Sequence, residues 1–181
     1  MAGHYLEGYI ICQFNSQKIW SRLMVQLSEG TTIARLPGEV WGILADFGGI
    51  GHWAPNVDHS CLMTRQSEGK DAVRRIQIGR ATVLERIVEW EPEDCLAYAI
   101  EGLPPVVRSV TNAWRLHPEG EHTRVTLVTT VDAGPRPPQK VAAKVIGRVL
   151  TKASREMLTG LKEHVESNRS ADANPGEGVR S

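Results

Sequence analysis

The sequence has no excess charge of either sign and no long apolar run, and these absences exclude several classes of function. Its 21 lysines and arginines equal its 21 aspartates and glutamates, so nothing predicts a nucleic-acid surface or an acidic tail. No run approaches the roughly 20 apolar residues that a membrane span needs. The first residues lack the basic segment and apolar core of a signal peptide. We therefore expect a cytoplasmic protein that binds no nucleic acid and spans no membrane.

Cysteine is also scarce, and common catalytic motifs are absent. Cys12, Cys61 and Cys95 are odd in number and lack the spacing of metal ligands, which favours reduced thiols. The glycines of Gly49-x-Gly51 follow a helical pattern rather than a strand, so they do not indicate a dinucleotide site. No nucleophile elbow is present. The sequence therefore predicts neither a metal nor a cofactor.

The most informative segment spans residues 36–55, LPGEVWGILADFGGIGHWAP. Pro37 suits the first turn of a helix, where its missing N–H costs nothing. Apolar residues then recur at helical spacing: Val40, Trp41, Leu44 and Ala45. The glycines after Phe47 break this helix and predict a second, weaker turn. Two short helices this apolar must pack against a larger element.

The rest of the chain supplies that element as a series of strands and one long helix. Strands are predicted at 22–34, 57–64, 72–78, 82–90, 95–101, 108–117 and 123–132. Short turns join successive strands, which favours an antiparallel meander. From residue 139 to 166 the apolar period changes to three and four residues, which predicts an amphipathic helix roughly 40 Å long.

These elements predict an α+β fold in which a curved seven-stranded antiparallel sheet is covered by the C-terminal helix. Such a sheet buries one face against the helix. Strong bending leaves space between sheet and helix, and the two short helices after the first strand close one end. We expect an N-terminal extension at 1–20, a folded domain at 21–166 and a disordered polar tail at 167–181.

Short motifs accompany this order of elements. They are Pro37-x-x-Val40-Trp41, Trp53-x-Pro55, Val73-Arg74, Leu84-Glu85-Arg86-Ile87, Tyr98-x-Ile100-x-Gly102 with Pro104, and Leu116-His117-Pro118. Over residues 25–165 the series resembles the START-like, helix-grip (SRPBCC) superfamily, within it the bacterial polyketide cyclase/dehydrase-like proteins, and more distantly the plant abscisic-acid receptors. The resemblance implies a cavity for a lipid-like, polyketide-like or hormone-like ligand. Many members bind without chemistry, and some catalyse cyclisation or dehydration.

Strand alternation indicates which side chains share a face. The resemblance places the glutamate of the Glu-Arg pair in the cavity, which is Glu85, and His59 about where the plant receptors carry a cavity lysine. From the long helix, Val145 and Val149 are predicted to contact the ligand. The predicted ligand-binding set is His59, Arg74, Ile76, Ile78, Val83, Glu85, Ile87, Tyr98, Ile100, Val110, Asn112, Trp114, Val145 and Val149.

Three functions remain open at this point. The first is a binding module for a small hydrophobic molecule, as a monomer or homodimer. The second is a cyclase or dehydratase with Glu85 as general base, His59 or Tyr98 as proton donor, and Arg74 or Asn112 near an oxyanion. The third is a ligand-dependent regulatory or protein-interaction module.

Each site residue also has a structural interpretation. Glu85 is as well suited to an ion pair with Arg74 or Arg108 as to a ligand contact. Trp41 and Trp53 are better explained as core packing, because large aromatic side chains dominate buried area. A buried Asn112 needs hydrogen-bond partners, which a ligand or the protein can supply.

Overall fold

The computed structural model describes residues 24–103, 107–132 and 137–172, with side chains in the last range from 148 to 167. Three helical elements occur in these ranges: α1 (Pro37–Ala45), a 3₁₀ helix (Phe47–His52) and α2 (Pro137–Asp172). The strands are β1 (Met24–Ile33), β2 (His59–Leu62), β3 (Val73–Ile78), β4 (Ala81–Glu91), β5 (Cys95–Glu101), β6 (Ser109–Glu119) and β7 (His122–Asp132). The expected N-terminal extension, 1–20, lies outside the described residues.

The strands form one curved antiparallel sheet in the order β1-β7-β6-β5-β4-β3-β2. Strands β2 to β7 follow one another as a meander, and β1 joins the far edge by pairing with β7. Helix α2 packs on the inner face through residues such as Leu158, Leu161 and Val165. This is the helix-grip fold, and the predicted fold class is confirmed.

The largest differences from the predicted element boundaries are in β2 and α2. Strand β2 has four residues rather than eight, because Thr64 Oγ1 donates to the Gln66 carbonyl oxygen and accepts from the Val73 N–H. Such local bonds compete with a strand ladder. Helix α2 begins at Pro137, a position that tolerates proline, and continues to Asp172. The start of the predicted disordered tail is therefore helical, and residues 173–181 lie outside the described ones.

A bulge in β4 changes which side chains face inward. Ile87 pairs with Tyr98, but Glu89 pairs with the next residue of β5, Ala97, so Val88 is an extra residue in the ladder. The alternation is shifted beyond this point, as is usual at a β-bulge. Trp90 consequently faces the interior, where its ring lies 5.0 Å from that of Trp41.

The second half of α2 is held closely against the 3₁₀ helix and β1. Gly160 faces the chain just after the 3₁₀ helix: a Cβ there would overlap the carbonyl oxygen of Trp53 and lie 2.7 Å from Cδ of Pro55. Polar contacts add to this packing. Lys162 donates to the Thr32 carbonyl oxygen at 2.9 Å, and Glu166 accepts from the Ala34 N–H at 3.0 Å. These contacts fix one end of α2 over the sheet.

Candidate functional site

The strand registers bring the predicted polar residues onto one inner face. Arg74 of β3 lies opposite Glu85 of β4. Tyr98 of β5 lies opposite Asn112 of β6, and Asn112 lies opposite Thr129 of β7. Directly opposed residues in an antiparallel pair point to the same side, so the face assignment from alternation is confirmed for these strands.

Arg74 and Glu85 form a buried ion pair in this interior. Nε of Arg74 lies 2.6 Å from Oε2 of Glu85, and both side chains are almost fully buried. A second guanidinium nitrogen donates to the carbonyl oxygen of Phe47 at 2.7 Å. Arg108, the other expected partner of Glu85, is exposed. Of the two expected ion pairs of Glu85, the one with Arg74 is therefore present.

Phe47 of the 3₁₀ helix covers this pair. Its ring centroid lies 3.9 Å from the guanidinium carbon of Arg74 and 5.8 Å from the ring centroid of Tyr98. The guanidinium is also 4.9 Å from the Tyr98 ring. Cations at such distances are attracted to aromatic faces. The charged pair is thus covered by aromatic groups as well as hydrogen-bonded.

A second polar group on the inner face is a chain of four hydrogen-bonding side chains. Asn112 Nδ2 donates to Tyr98 Oη at 3.3 Å, and Thr129 Oγ1 donates to Asn112 Oδ1 at 2.7 Å. Ser154 of α2 lies 3.4 Å from Thr129 through their hydroxyl oxygens. Because the single hydroxyl hydrogen of Thr129 goes to Asn112, Ser154 is the donor to Thr129. All the bonds in this chain therefore run in one direction, from α2 towards Tyr98.

Tyr98 ends this chain with a hydrogen that has no acceptor among the described residues. Its oxygen accepts from Asn112 and, at 3.5 Å, from Nε1 of Trp114. Two donors occupy both lone pairs of the phenol oxygen, so the O–H of Tyr98 remains available. Tyr98 is fully buried, and a buried donor without an acceptor is costly. The site therefore offers a hydrogen bond to an acceptor that the described residues do not supply.

The protonation of Tyr98 agrees with its role as a donor. Burial raises the pKa of the phenol to about 12, and the nearby Glu85 carboxylate adds to the rise. Arg74 and the hydrogen bonds from Trp114 and Asn112 act in the opposite direction. Tyr98 is accordingly neutral near pH 7, and it suits a hydrogen-bond donor rather than a base.

Three predicted ligand-binding residues are exposed rather than buried in the interior. His59 is exposed, because the register pairs Ser60 with Ile76 and leaves His59 opposite Gln77 on the outer face. Ile78 lies at the end of β3 and is 41% exposed, beyond the covering elements, and Val149 is 64% exposed. Placing these three in the interior was wrong. The side chain of Val145 lies outside the described ones.

The other apolar members of the predicted set line the inner face. Ile76 and Ile87 belong to the main core, with Val83 and Ile100 half-buried against it. Val110 lies in a smaller cluster with Val107 and Val131. Trp41 and Trp53 are part of the main core, as the packing interpretation predicted.

Sequence reasoning missed Phe47, Thr129 and Ser154. Thr129 interrupts the inward series Val125, Leu127 and Val131 of β7, and Ser154 lies on the apolar face of α2 that continues through Met157, Leu158 and Leu161. A polar residue at an apolar position was the available signal in both cases. Phe47 carried no such signal, because its contact with Arg74 depends on how the 3₁₀ helix folds back over β3.

A surface groove lies apart from these polar groups. It has a volume of about 580 Å³ and runs between the 3₁₀ helix and the outer side of α2. Its lining residues include His52, Trp53, Glu163 and His164. The polar groups of the inner face do not contribute to it.

Two further features, metal sites and membrane spans, concern the described part of the chain only. Within it, no three His, Cys, Asp or Glu residues are grouped so that they could hold a metal ion. None of its helices combines the length and the apolar character that crossing a membrane requires.

Comparison with known proteins relates the fold to one family. The structure is similar to the Zhui aromatase/cyclase of a Streptomyces species, with a TM-score of 0.69, 20% identity, and 87% of this chain and all of that chain covered. It resembles the di-domain ARO/CYC StfQ of the steffimycin pathway, with a TM-score of 0.70, 18% identity, and 82% and 53% covered. A START superfamily protein of Mycobacterium smegmatis gives a TM-score of 0.62 and 14% identity, with 79% and 98% covered.

The family itself follows from the sequence match. A search of curated proteins found no match. The model of one family, described as "Polyketide cyclase / dehydrase and lipid transport", matches residues 24–166, which is most of the chain and includes every residue of the two polar groups. The chain belongs to the polyketide cyclase/dehydrase and lipid transport family.

Proposed function

We propose that the protein binds a small, largely apolar molecule between the sheet and α2, and that Tyr98 donates a hydrogen bond to a carbonyl or similar acceptor on that molecule. The observation that carries this proposal is the buried Tyr98 hydroxyl, which keeps one hydrogen-bonding position that no described residue fills. With Asn112 and Trp114 both donating to its oxygen, that position is its hydrogen. Family membership supports the apolar character of the ligand.

The surroundings of Tyr98 favour a ligand that contains rings. Phe47 and Trp114 lie next to the phenol, and Ile87 is its opposite neighbour on β4. Ligand pockets are mostly apolar, with a few polar groups that fix orientation. A flat, ring-containing ketone matches these neighbours in shape and polarity.

Ligand entry requires movement of a covering element, because Tyr98 has no exposed surface. Phe47 lies over both Arg74 and Tyr98. Three glycines follow it in the 3₁₀ helix, Gly48, Gly49 and Gly51. We take the Phe47 end of this helix to be the part that moves, while the chain after its other end stays packed against Gly160.

The test measures binding of 1-tetralone, a bicyclic aromatic ketone, by quenching of tryptophan fluorescence. Removing the hydroxyl in Tyr98→Phe should weaken binding about tenfold, since one hydrogen bond contributes about 1.4 kcal/mol. Thr130→Val is the matched control, because it removes a hydroxyl from the outer face of β7 and should leave the affinity unchanged. No saturable binding to the native protein, or equal affinity in native and Tyr98→Phe, would contradict the proposal.

A second candidate function is proton removal next to a carbonyl. The favouring observation is that Glu85 and Tyr98 lie on neighbouring strands and face the same interior beside Arg74. In this reaction the Glu85 carboxylate takes a proton from the carbon next to the carbonyl, and Tyr98 hydrogen-bonds to the enolate oxygen. The Arg74 contact to Glu85 has to loosen first, which makes this candidate weaker than binding.

Exchange of hydrogen for deuterium tests this candidate directly. In D₂O the protein should accelerate deuterium incorporation at the carbon next to the carbonyl of 1-tetralone, as followed by proton NMR. Glu85→Gln removes the base and should abolish the acceleration. Exchange at the uncatalysed rate with the native protein, or at the native rate with Glu85→Gln, would exclude the catalytic function.

A further inference from the structure

The four-residue chain from Ser154 to Tyr98 is built from groups that can both donate and accept. A hydroxyl has one hydrogen and two lone pairs, and a primary amide has two hydrogens and a carbonyl oxygen. Rotating the Asn112 amide by 180° exchanges Oδ1 and Nδ2 at nearly the same positions. The heavy-atom distances of 2.7, 3.3 and 3.4 Å therefore serve hydrogen bonds in either direction.

The reversed direction preserves every bond within the chain. Tyr98 then donates to Asn112 Oδ1, Asn112 Nδ2 donates to Thr129, and Thr129 donates to Ser154. The Ser154 hydroxyl turns to the carbonyl oxygen of the preceding helical turn, a common acceptor for a serine within a helix. Trp114 only donates, so it keeps its bond to Tyr98 and leaves one lone pair of the phenol free.

The ion pair on the same face cannot behave in this way. Arg74 has only donors and an ionised Glu85 has only acceptors, so the direction of their bond is fixed. The inner face thus combines an ion pair of fixed direction with a series of hydrogen bonds whose direction depends on the ligand group that contacts Tyr98.

We infer that Tyr98 presents a donor to a ketone and an acceptor to the corresponding enol or phenol, because the Ser154–Thr129–Asn112 chain reverses direction between the two. This inference rests on the proposed function and extends it to a ligand class: molecules in which one carbon carries C=O in one form and C–OH in another. A site fixed in one direction would leave the hydroxyl hydrogen of the second form unpaired.

The test uses NMR of the native protein with asparagine selectively labelled with ¹⁵N, saturated separately with 1-tetralone and 1-naphthol. With 1-tetralone, the Asn112 amide hydrogens should show nuclear Overhauser contacts to the Tyr98 ring. With 1-naphthol, these contacts should move to the methyl group of Thr129. The same contacts with both probes would overturn the inference.

Affinities separate this inference from the proposed function. If neither probe binds the native protein, the proposed function itself fails and the inference fails with it. If both bind and Tyr98→Phe weakens 1-tetralone, the proposed function stands and the amide contacts alone decide. Tyr98→Phe should then also weaken 1-naphthol by about tenfold, since it loses one hydrogen bond in either direction.

Discussion

Two regions of the interior, the contact between α2 and the 3₁₀ helix and the surroundings of Tyr98, are held together by different interactions. Where α2 meets the 3₁₀ helix, Gly160 lies against the backbone of Trp53, and Leu161 is fully buried in the core. Around Tyr98, the contacts are hydrogen bonds and an ion pair between side chains of neighbouring strands. The first part is specified by shape, which tolerates little change. The second is specified by hydrogen-bond donors and acceptors, and a ligand can supply a partner that the described residues do not provide there.

This difference indicates where the molecule is rigid and where it can respond. Close packing at Gly160 holds α2 in one position over the sheet. The series of hydrogen bonds from Ser154 to Tyr98 begins on α2, only six residues before Gly160. It depends on the position of α2, because Ser154 is the one member that this helix supplies. The close packing of α2 at Gly160 therefore positions a series of hydrogen bonds whose direction can change. The three predictions below test this division, and they are ordered from the largest expected effect to the smallest.

The largest effect is expected from breaking the Arg74–Glu85 pair. Arg74→Met leaves the Glu85 carboxylate buried without its partner and should lower the free energy of unfolding by about 3–5 kcal/mol. The double variant Arg74→Met/Glu85→Met removes both charges and should recover much of this loss. Urea denaturation followed by circular dichroism provides the measurement.

An ion pair on the outer face of β4, the strand of Glu85, supplies the control for this prediction. Arg86 pairs with Glu101 at 2.9 Å, and both side chains are about 40% exposed. Arg86→Met should cost less than about 1 kcal/mol, because exposed pairs contribute little. Equal losses in Arg74→Met and Arg86→Met would show that the interior pair is not desolvated as described.

A smaller but still large effect is expected from Gly160→Ala. The added methyl group overlaps the backbone of Trp53, and the helix has to shift, which should lower the free energy of unfolding by about 3 kcal/mol. Gly42→Ala in α1 is the matched control, because nothing lies within 4 Å of the added group. It should instead stabilise the protein by about 0.5–1 kcal/mol through helix propensity. If both glycines tolerate alanine equally, close packing does not fix α2.

The smallest effect is a pH dependence at Tyr98. The pKa of about 12 in the folded state exceeds the value of about 10 for an exposed tyrosine. The unfolded chain therefore loses its proton first, so stability is complete below pH 10 and decreases as pH rises towards 12. At pH 11 the loss should be about 1.4 kcal/mol relative to pH 9.

Tyr98→Phe separates this loss from the titration of other groups. Denaturation at pH 9 and pH 11 should show a smaller decrease for Tyr98→Phe than for the native protein, by that same amount. The tyrosinate absorbance of the two folded proteins should also agree at pH 11, because Tyr98 remains protonated. Excess absorbance in the folded native protein would mean that Tyr98 is less buried than described.

Much of the inner face was predictable because antiparallel strands keep a strict alternation over their paired length. Alternation predicted that Asn112 and Trp114 share a face, and the resemblance predicted that Glu85 points inward. His59 was assigned to the cavity from the resemblance to the plant receptors, and the register instead places it opposite Gln77 on the outer face of a strand with only four residues.

Contacts between elements that are far apart in the sequence could not be predicted from it. Nothing local to Phe47 indicates that its carbonyl oxygen accepts from Arg74, because that depends on the path of the 3₁₀ helix. The pairing of Ser154 with Thr129 likewise depends on the axial position of α2. The regulatory hypothesis and the oligomeric state stay predictions.

The bulge at Val88 has a consequence for comparing this protein with its homologues. Trp41 and Trp90 meet because the bulge absorbs one extra residue of β4 and keeps Trp90 opposite Leu96 on the inner side. A homologue that lacks the extra residue would keep this tryptophan on the inner side, because the residues after the bulge would pair with β5 as before. A one-position gap at residue 88 in a homologue is therefore compatible with both tryptophans, whereas a strand of the same length without the bulge would turn the second one outward.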